Sequence, residues 1–294
     1  MELRVLNYFL VIAREENFTR AAEQLHVTQP TLSRQIADLE RELGVRLFTR
    51  GNHNIVLTED GMILKRRAQE ILTLADKTKR DFLHKEKNLE GTISIGCGEF
   101  VSTRILTDCI AAFREKYPRV RYEIHSGNTG NIRDQIERGL LDLGLVTEPV
   151  DVRKYEFVIM PVKEPWGVLV REDSPLAKKE SITPEELIHY PLICPVSEIS
   201  QSIIAKWLGA RAPQMDVVAT GNLLYNEALL AQSSLGIVVT MQLNCAYQGL
   251  RFVPLSPALE SGTALIWKKE QIFPAAAAAF IEFMKDYIEN FSET

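Results

Sequence analysis

The chain has 294 residues, of which 46% are hydrophobic and 25% charged, so it is long enough for about two domains with buried cores. No stretch reaches the roughly 18 consecutive apolar residues of a membrane helix, and the first 18 residues carry five charged side chains where a signal peptide would be apolar, which predicts a cytoplasmic protein with no membrane partner. The four cysteines form no CxxC pair, which excludes a dense disulfide framework and predicts reduced, buried thiols.

The net charge of −5 is unevenly distributed along the chain. Residues 1–88 contain 15 Lys and Arg against 13 Asp and Glu, whereas the remaining residues contain 19 against 26. The acidity therefore belongs to the C-terminal part. The front of the chain is compatible with a polyanionic partner such as DNA.

The first part of the chain has the apolar spacing of three helices. The predicted helices cover 3–14, 20–25 and the stretch between Thr28 and Gly44. Thr19 is the predicted N-cap of the second helix, and Thr28 that of the third, which has Pro30 in its first turn. The third helix is expected to bury Leu32, Ile36, Leu39 and Leu43.

A short strand-like stretch follows over 45–57. It is interrupted by four turn-forming residues, Gly51, Asn52, His53 and Asn54. Two short strands around such a turn predict a β-wing next to the three helices.

Thr58 is the predicted N-cap of a long helix that lasts to about Lys87 and spans about 40 Å. Its apolar residues are spaced alternately by four and three, and they are Leu64, Ala68, Ile71, Ala75, Thr78 and Phe82. Such a seam, with no neighbour in sequence to cover it, predicts a homodimer through this helix. The alternative is that the helix lies on the C-terminal domain of its own chain.

From Gly91 onwards strands and helices alternate. A β-α-β-α-β unit over 92–146 implies a parallel sheet with ligand sites at its C-terminal strand ends. Further strands are predicted at 166–170, 192–194, 214–219, 237–239 and 264–267, and further helices at 184–189, 199–208, 222–231 and 275–291. Two α/β lobes with a cleft between them are expected.

The sequence over 18–50 is the most specific part of the chain and reads FTRAAEQLHVTQPTLSRQIADLERELGVRLFTR. It contains A-A-x-x-L, then Q-P-x-L-S-R-Q-I-x-x-L-E-x-x-L-G, then L-F-x-R, and L-T-x-x-G begins at Leu57. These motifs closely resemble those of LysR-type transcriptional regulators over residues 1 to about 65. The resemblance continues more loosely in Lys116 to Pro118, Gly139 to Leu143 and the DSPLA sequence at Asp173.

The third helix has side chains suited to reading DNA. Gln29 and Arg34 suit bidentate contacts with bases, and Thr31 and Ser33 suit bases or phosphates. The resemblance implies that this helix enters the major groove and that the wing lies over the minor groove. The predicted DNA-binding residues are Thr19, Thr28, Gln29, Pro30, Thr31, Ser33, Arg34, Arg50, Asn52 and His53. His53 stands where many relatives have arginine, so the wing should attract the minor groove less strongly. The alternative is that these polar residues only solvate an exposed helix.

The resemblance implies an α/β fold class with an all-α N-terminal part. The parts are a winged helix-turn-helix domain over 1–58, a long linker helix over 59–88 and an effector-binding domain over 89–294. The last is expected to be a two-lobed, periplasmic-binding-protein-like (type 2) α/β domain, with lobe I over about 91–162 and 263–294 and lobe II over about 163–262. A small-molecule effector of unknown identity is expected between the lobes, and no cofactor.

Effector-binding candidates follow the predicted strands. They are Cys97, Gly98, Glu99, Phe100, Ser102, Thr103, Asn128 and Thr129 in lobe I, and Ser197, Ser202 and Asn222 in lobe II. Each has a structural alternative, such as a helix cap, a turn or a core position. Many relatives carry Ser or Thr near positions 99 and 100, where this chain has Glu99 and Phe100. An ionised Glu99 would repel a carboxylate and favours an amine or hydroxyl ligand.

Other functions have less support in the sequence. No GxSxG, HExxH or Walker sequence is present, and the five histidines have no ligand spacing, so we expect no enzyme. Two alternatives stay open: an architectural DNA-binding protein without a ligand, and a redox sensor using two separated cysteines. The expected partners are double-stranded promoter DNA with a two-fold-related site, a second copy of the chain in a dimer or tetramer, and RNA polymerase if the protein is an activator.

Overall fold

The computed structural model describes residues 1–50, 55–83 and 89–292. The chain forms two compact units, Met1–Lys85 and Glu86–Thr294. The elements of the first unit are α1 (Leu3–Glu15), α2 (Phe18–Gln24), α3 (Gln29–Leu43), β1 (Phe48–Arg50), β2 (Ile55–Leu57) and α4 (Glu59–Leu83). The strands β1 and β2 pair antiparallel, as the predicted wing requires.

The helix α2 begins two residues earlier than its predicted start. The predicted cap at Thr19 is wrong, because Asn17 Oδ1 accepts hydrogen bonds from the N–H groups of Thr19 (2.8 Å) and Arg20 (3.1 Å). The early start places the ring of Phe18 against Phe48 of the wing. Burial of this aromatic pair favours the earlier start over the cap at Thr19.

The predicted ends of α3 are confirmed. Thr28 occupies the N-cap position, although its hydroxyl bonds to that of Thr31 and makes no capping hydrogen bond. Pro30 lies in the first turn, and Gly44 ends the helix in the left-handed conformation at φ 71°. Three of the four predicted core residues are buried, namely Leu32, Ile36 and Leu39. The prediction for Leu43 is wrong, since this last-turn side chain is 38% exposed and lies outside the core of the unit.

Glu40 connects α3 to the wing. Its carboxylate accepts a 2.7 Å hydrogen bond from Leu47 N and pairs with Arg46 at 3.1 Å. Because Glu40 lies in the L-E-x-x-L-G motif, this contact gives that glutamate a structural role. It fixes the first wing strand relative to α3.

The seam of α4 is partly covered by its own unit. Thr58 Oγ1 accepts from Gly61 N at 2.9 Å, so the predicted cap is confirmed. Ala68 is buried and Leu64 and Ile71 pack against the same core as α1, so the prediction that this seam lacks a neighbour is wrong for these three residues. The side chain of Phe82 lies outside the described ones.

The second unit contains two sheets with helices packed on them. Its first strands and helices are β3 (Gly91–Cys97), α5 (Thr103–Lys116), β4 (Val120–Ser126), α6 (Thr129–Glu137), β5 (Leu143–Thr147), β6 (Tyr155–Ile159) and β7 (Glu164–Arg171). They are followed by α7 (Pro184–Leu187), β8 (Pro191–Pro195), α8 (Glu198–Leu208), β9 (Asp216–Gly221) and α9 (Leu224–Gln232). The last are β10 (Ile237–Met241), β11 (Leu250–Pro254), β12 (Glu260–Ser261), β13 (Thr263–Lys268) and α10 (Ala275–Ser292).

Each sheet forms the centre of one lobe. Lobe I has the strand order β4-β3-β5-β13-β6, and lobe II has β11-β7-β10-β8-β9 with β12 on β7. The parallel pairing of β3 with β4 and β5 is as predicted. Both sheets are nevertheless mixed, because β13 runs antiparallel to β5 and β7 antiparallel to β10. The chain therefore passes between the lobes twice, between β6 and β7 and between β12 and β13.

The C-terminal helix belongs to lobe I. Phe280 of α10 and Phe113 of α5 are fully buried, and their rings meet edge to face at 5.2 Å. Such a pair adds about 0.5–1.5 kcal/mol to the free energy of burial alone. No helix among the described residues is long and apolar enough to cross a membrane.

Candidate functional site

The polar start of α3 forms an exposed surface on the first unit. The side chains of Gln29, Pro30, Thr31 and Arg34 are exposed, while Leu32 on the opposite face is fully buried. The N-terminus of a helix also presents backbone N–H groups, which attract anions such as phosphate. This surface has the shape and chemistry needed to enter a DNA groove.

The polar side chains of this surface are paired with one another. Gln29 Nε2 donates to Ser33 Oγ at 2.8 Å, and the hydroxyls of Thr28 and Thr31 lie 2.8 Å apart. These exposed hydrogen bonds orient the side chains and contribute little to stability, so they can be exchanged for bonds to DNA.

The Arg34 side chain is 84% exposed and lies 4.0 Å from Asp38. Asp38 has a closer partner in Arg41, at 2.8 Å. The guanidinium of Arg34 is therefore only weakly held, and it keeps its five donors available for a ligand.

The remaining predicted DNA-binding residues are Thr19, Arg50, Asn52 and His53. Thr19 is exposed in the first turn of α2. Arg50 ends β1, and its side chain lies outside the described ones. Asn52 and His53 lie outside the described residues.

The second unit has a cavity between its two lobes. Its volume is about 100 Å³, which is enough for several water molecules. Seven predicted effector-binding residues line it, namely Gly98, Glu99, Phe100, Asn128, Thr129, Ser197 and Asn222. They follow strands β3 and β4 in lobe I and β8 and β9 in lobe II, which is where ligand sites of such sheets occur.

Four predicted residues lie elsewhere. Ser102 is fully buried, and its hydroxyl accepts from Thr263 Oγ1 at 2.8 Å. Cys97 and Thr103 lie beneath the loop at Gly98, because both donate to its carbonyl. Ser202 is exposed on α8 and does not line the cavity.

An internal carboxylate occupies the N-terminus of α5. Glu164 of β7 is fully buried, and it accepts hydrogen bonds from Val101 N (2.7 Å) and Ser102 N (3.0 Å). The expected carboxylate-binding N–H groups are thus already bonded to a carboxylate of lobe II. This interaction also connects the two lobes.

Glu99 of lobe I connects the lobes in the opposite sense, through a helix start in lobe II. Its Oε2 accepts a 2.7 Å hydrogen bond from Leu224 N, the first residue of α9 in lobe II. Glu227, one turn further along α9, is buried in the cavity wall. Burial, and secondarily the charge of Glu99, raise the pKa of Glu227 to about 7.

The polar residues after β4 already form hydrogen bonds within lobe I. Asn128 Oδ1 accepts from Asn131 N at 2.9 Å and so caps α6. The Thr129 hydroxyl accepts from Thr147 N at 3.0 Å and lies 2.8 Å from the Thr147 hydroxyl. These bonds hold the ends of β4 and β5 together beside the cavity.

The cysteines are free, and three of them are buried. Burial raises the pKa of the Cys97 thiol, that of Cys109 to about 12 and that of Cys194 to about 11. Cys245 is the exposed one. Because the thiolate is the reactive form, the three buried thiols are poor nucleophiles at neutral pH.

Comparison with known protein families covers most of the chain. Residues 3–62 match the bacterial regulatory helix-turn-helix protein, lysR family, and residues 86–289 match the LysR substrate binding domain. The chain belongs to the LysR family of transcriptional regulators. It is a DNA-binding transcriptional regulator with an effector-binding domain, and not an enzyme.

Individual relatives agree with this assignment. The Hca operon transcriptional activator HcaR of Escherichia coli (strain K12) is 32% identical over 284 residues, which are 94% of this chain and 94% of that protein. A probable RuBisCO transcriptional regulator of Phaeodactylum tricornutum (strain CCAP 1055/1) is 30% identical over 209 residues, 70% of this chain and 66% of that protein. The crystal structure of full-length CbnR complexed with its target DNA has a TM-score of 0.75 at 20% identity and covers 98% of this chain and 100% of that chain. The predicted fold class of this LysR-family regulator is confirmed.

Several cavity residues of the regulator were not predicted from the sequence. Thr147 and Met241 end β5 and β10, so the rule of C-terminal strand ends identifies them once the strands are bounded correctly. Trp166, Ser200 and Glu227 lie within elements, where no sequence signal separates them from core residues. The Trp166 indole donates to Ser261 Oγ at 2.8 Å, which fixes its ring in the cavity wall.

Proposed function

We propose that this regulator reads a two-fold-related promoter site by inserting the N-terminal part of α3 into the major groove. Gln29, Thr31 and Arg34 would contact base edges, and Thr19, Thr28, Pro30 and Ser33 would position the helix on the backbone. The wing residues Arg50, Asn52 and His53 would lie along the adjacent groove. The observation that carries this proposal is the exposed, polar first half of a helix whose opposite face is buried.

We further propose a homodimer through α4. Its apolar side chains Ile63 and Leu74 are 56% and 42% exposed, and three helical turns separate them, so they lie on one face. A second copy would cover this face and place two α3 helices on the DNA. Two such dimers would form a tetramer, and an activating form would contact RNA polymerase.

The cleft between the lobes is the proposed effector site. Gly98, Glu99, Phe100, Asn128, Thr129, Ser197 and Asn222 line it from both lobes. A ligand held by both lobes favours one angle between them over others. Such a shift would change the spacing of the paired DNA-binding units.

An architectural protein without a ligand is the second candidate function. It predicts a filled cleft and no thermal shift with any metabolite. The cavity of about 100 Å³, lined by polar side chains of both lobes, favours an effector instead.

DNA binding of Arg34→Ala tests the proposed reading helix. Loss of a bidentate base contact should cost about 1–3 kcal/mol, or roughly 5-fold to 150-fold in affinity for the chain's own upstream DNA. Arg41→Ala is the matched control, because Arg41 is 76% exposed on the same helix and paired with Asp38. Equal losses in both variants, or none in Arg34→Ala, would contradict the proposal.

A further inference from the structure

The ionisable residues of the cleft are all acidic. Glu99 and Glu227 are the titratable side chains among the described residues that line the cavity, and none of these residues is lysine, arginine or histidine. Glu99 is exposed and Glu227 is 4% exposed. A ligand between the lobes therefore meets negative charge and neutral hydrogen-bonding groups, and no cation.

Two of the helix N-termini beside the cavity, those of α5 and α9, are already occupied by carboxylates of the protein. Glu164 accepts from the N–H groups of Val101 and Ser102 at the start of α5. Glu99 accepts from Leu224 N at the start of α9. Because the protein's own carboxylates satisfy these donors, an added carboxylate would face like charge there.

Glu227 has no partner for its carboxyl group among the described residues. The carboxyl end of Glu227 lies against Gly221, where an added Cβ would be 2.4 Å from Glu227 Oε1. Its carboxyl oxygens are not fully enclosed by the protein, so they are open to a hydrogen-bond donor of a ligand in the cavity. Burial and the nearby charge of Glu99 both raise the pKa of Glu227, and a bound cation would lower it again.

Ser200 is an independent sign of a polar ligand. Ser200 lies on α8, is 8% exposed and lines the same cavity. Its hydroxyl has no hydrogen-bond partner among the described residues. A hydroxyl can accept a hydrogen bond from an ammonium group, as the carboxylates can.

We infer that the effector of this regulator carries a protonated amine, which Glu227 and Glu99 bind in the cleft with Ser200 as a further acceptor. The inference rests on the proposed role of the cleft as effector site.

Thermal unfolding of the full-length protein at neutral pH tests this inference. The probes n-butylamine, 1-butanol and butyrate share one carbon skeleton, and 1,4-diaminobutane and succinate form a second comparison. The amines should raise the Tm in a saturable manner, whereas the alcohol and the carboxylates should not. Glu227→Gln should weaken amine binding at least about tenfold, as expected for loss of a charged hydrogen-bonding partner. Glu172→Gln is the control, since Glu172 is exposed and lies outside the cavity lining, and it should leave binding unchanged.

Other outcomes separate this inference from the proposed function. Asn222→Phe places a ring at an exposed position of the cavity wall and should block any ligand there. If butyrate or succinate stabilises the protein, and Asn222→Phe abolishes the effect while Glu227→Gln keeps it, the cleft is the effector site and the amine inference is wrong. Equal amine stabilisation in Glu227→Gln also overturns the inference. If neither these probes nor a broad metabolite panel raises the Tm, both the inference and the effector site are wrong.

Discussion

The carboxylate of Glu99 in lobe I accepts a 2.7 Å hydrogen bond from the backbone N–H of Leu224 in lobe II. Glu164 of lobe II makes the reciprocal contact with the start of α5 in lobe I. Each lobe thus supplies a carboxylate that satisfies a helix N-terminus of the other. A ligand that competes for Glu99 would release one of these two connections, which links binding to the angle between the lobes.

Replacement of Glu99 by alanine should therefore leave the Leu224 N–H without its hydrogen-bond acceptor and less protected from exchange. We expect faster hydrogen exchange at Leu224, with a loss of global unfolding free energy below about 1 kcal/mol because Glu99 is exposed. Hydrogen-exchange mass spectrometry on peptides that contain Leu224 measures this. Unchanged exchange there would show that the hydrogen bond does not hold α9 in solution.

Glu164→Ala should be far more damaging. Removal of this buried carboxylate leaves the N–H groups of Val101 and Ser102 without an acceptor, at a cost of about 3 kcal/mol or more. Chemical unfolding of the full-length protein measures the loss. The matched change Glu172→Ala, at an exposed position, should stay within about 0.5 kcal/mol of wild type. Similar losses in both variants would argue against the proposed role of Glu164.

The titration of Glu227 predicts how stability depends on pH. Its pKa rises from 4.5 to about 7 on folding, so the folded state binds the proton more tightly than the unfolded state. The free energy of unfolding should therefore fall as pH rises from about 4.5 to about 7, and then level off for this group. Glu227→Gln should remove that part of the pH dependence. A variant with the same pH profile as wild type would contradict the assignment.

Glu40 should matter for the stability of the first unit, which chemical unfolding measures. Its side chain is 11% exposed and bonded to Leu47 N at the start of the wing. Glu40→Ala should lower the unfolding free energy of the first unit by about 1–3 kcal/mol, because a part-buried donor loses its acceptor. Glu42→Ala, at a side chain that is 54% exposed, is the control in the same turn. Equal stability of the two variants would show that the wing is held by other contacts.

The thiols should differ in reactivity at neutral pH. Burial raises the pKa of Cys97, Cys109 and Cys194, so these three should react slowly with iodoacetamide. Cys245, which is exposed, should react first. Peptide mapping after brief alkylation measures the order. Rapid labelling of Cys97 and one other buried cysteine would instead support the redox-sensor alternative.

The sequence predicted the elements whose signals are local. The start of α3 at Thr28, the cap at Thr58, the glycine end of α3 and the β-α-β-α-β unit follow from side-chain spacing and from turn and cap chemistry. The strands β6, β11 and β12 were not predicted, because their partners lie far away in sequence and their apolar runs are short. The cap of α2 was misplaced by two residues, because Asn17 and Thr19 carry equally suitable side chains.

The cavity residues also divide into those with a local sequence signal and those placed only by the tertiary fold. Residues that follow strands, such as Asn128 and Asn222, could be named from the sequence because strand ends of such sheets converge. Ser102 could not be excluded from the effector-binding candidates, because the acceptor of its N–H group, Glu164, is 62 residues away in sequence. Glu227 was missed because a glutamate within a helix is usually solvated, and here only the tertiary fold buries it.

Binding of the purified full-length protein to DNA fragments at a series of salt concentrations measures whether α3 reads base sequence. The fragments are the chain's own upstream intergenic region and an unrelated sequence of equal length. We expect binding to the upstream fragment to be about 10³-fold or more tighter than to the unrelated one, with footprints on two half-sites related by two-fold symmetry. Equal, weak and wholly salt-dependent binding to both fragments would contradict it, because α3 would then contact only the phosphate backbone.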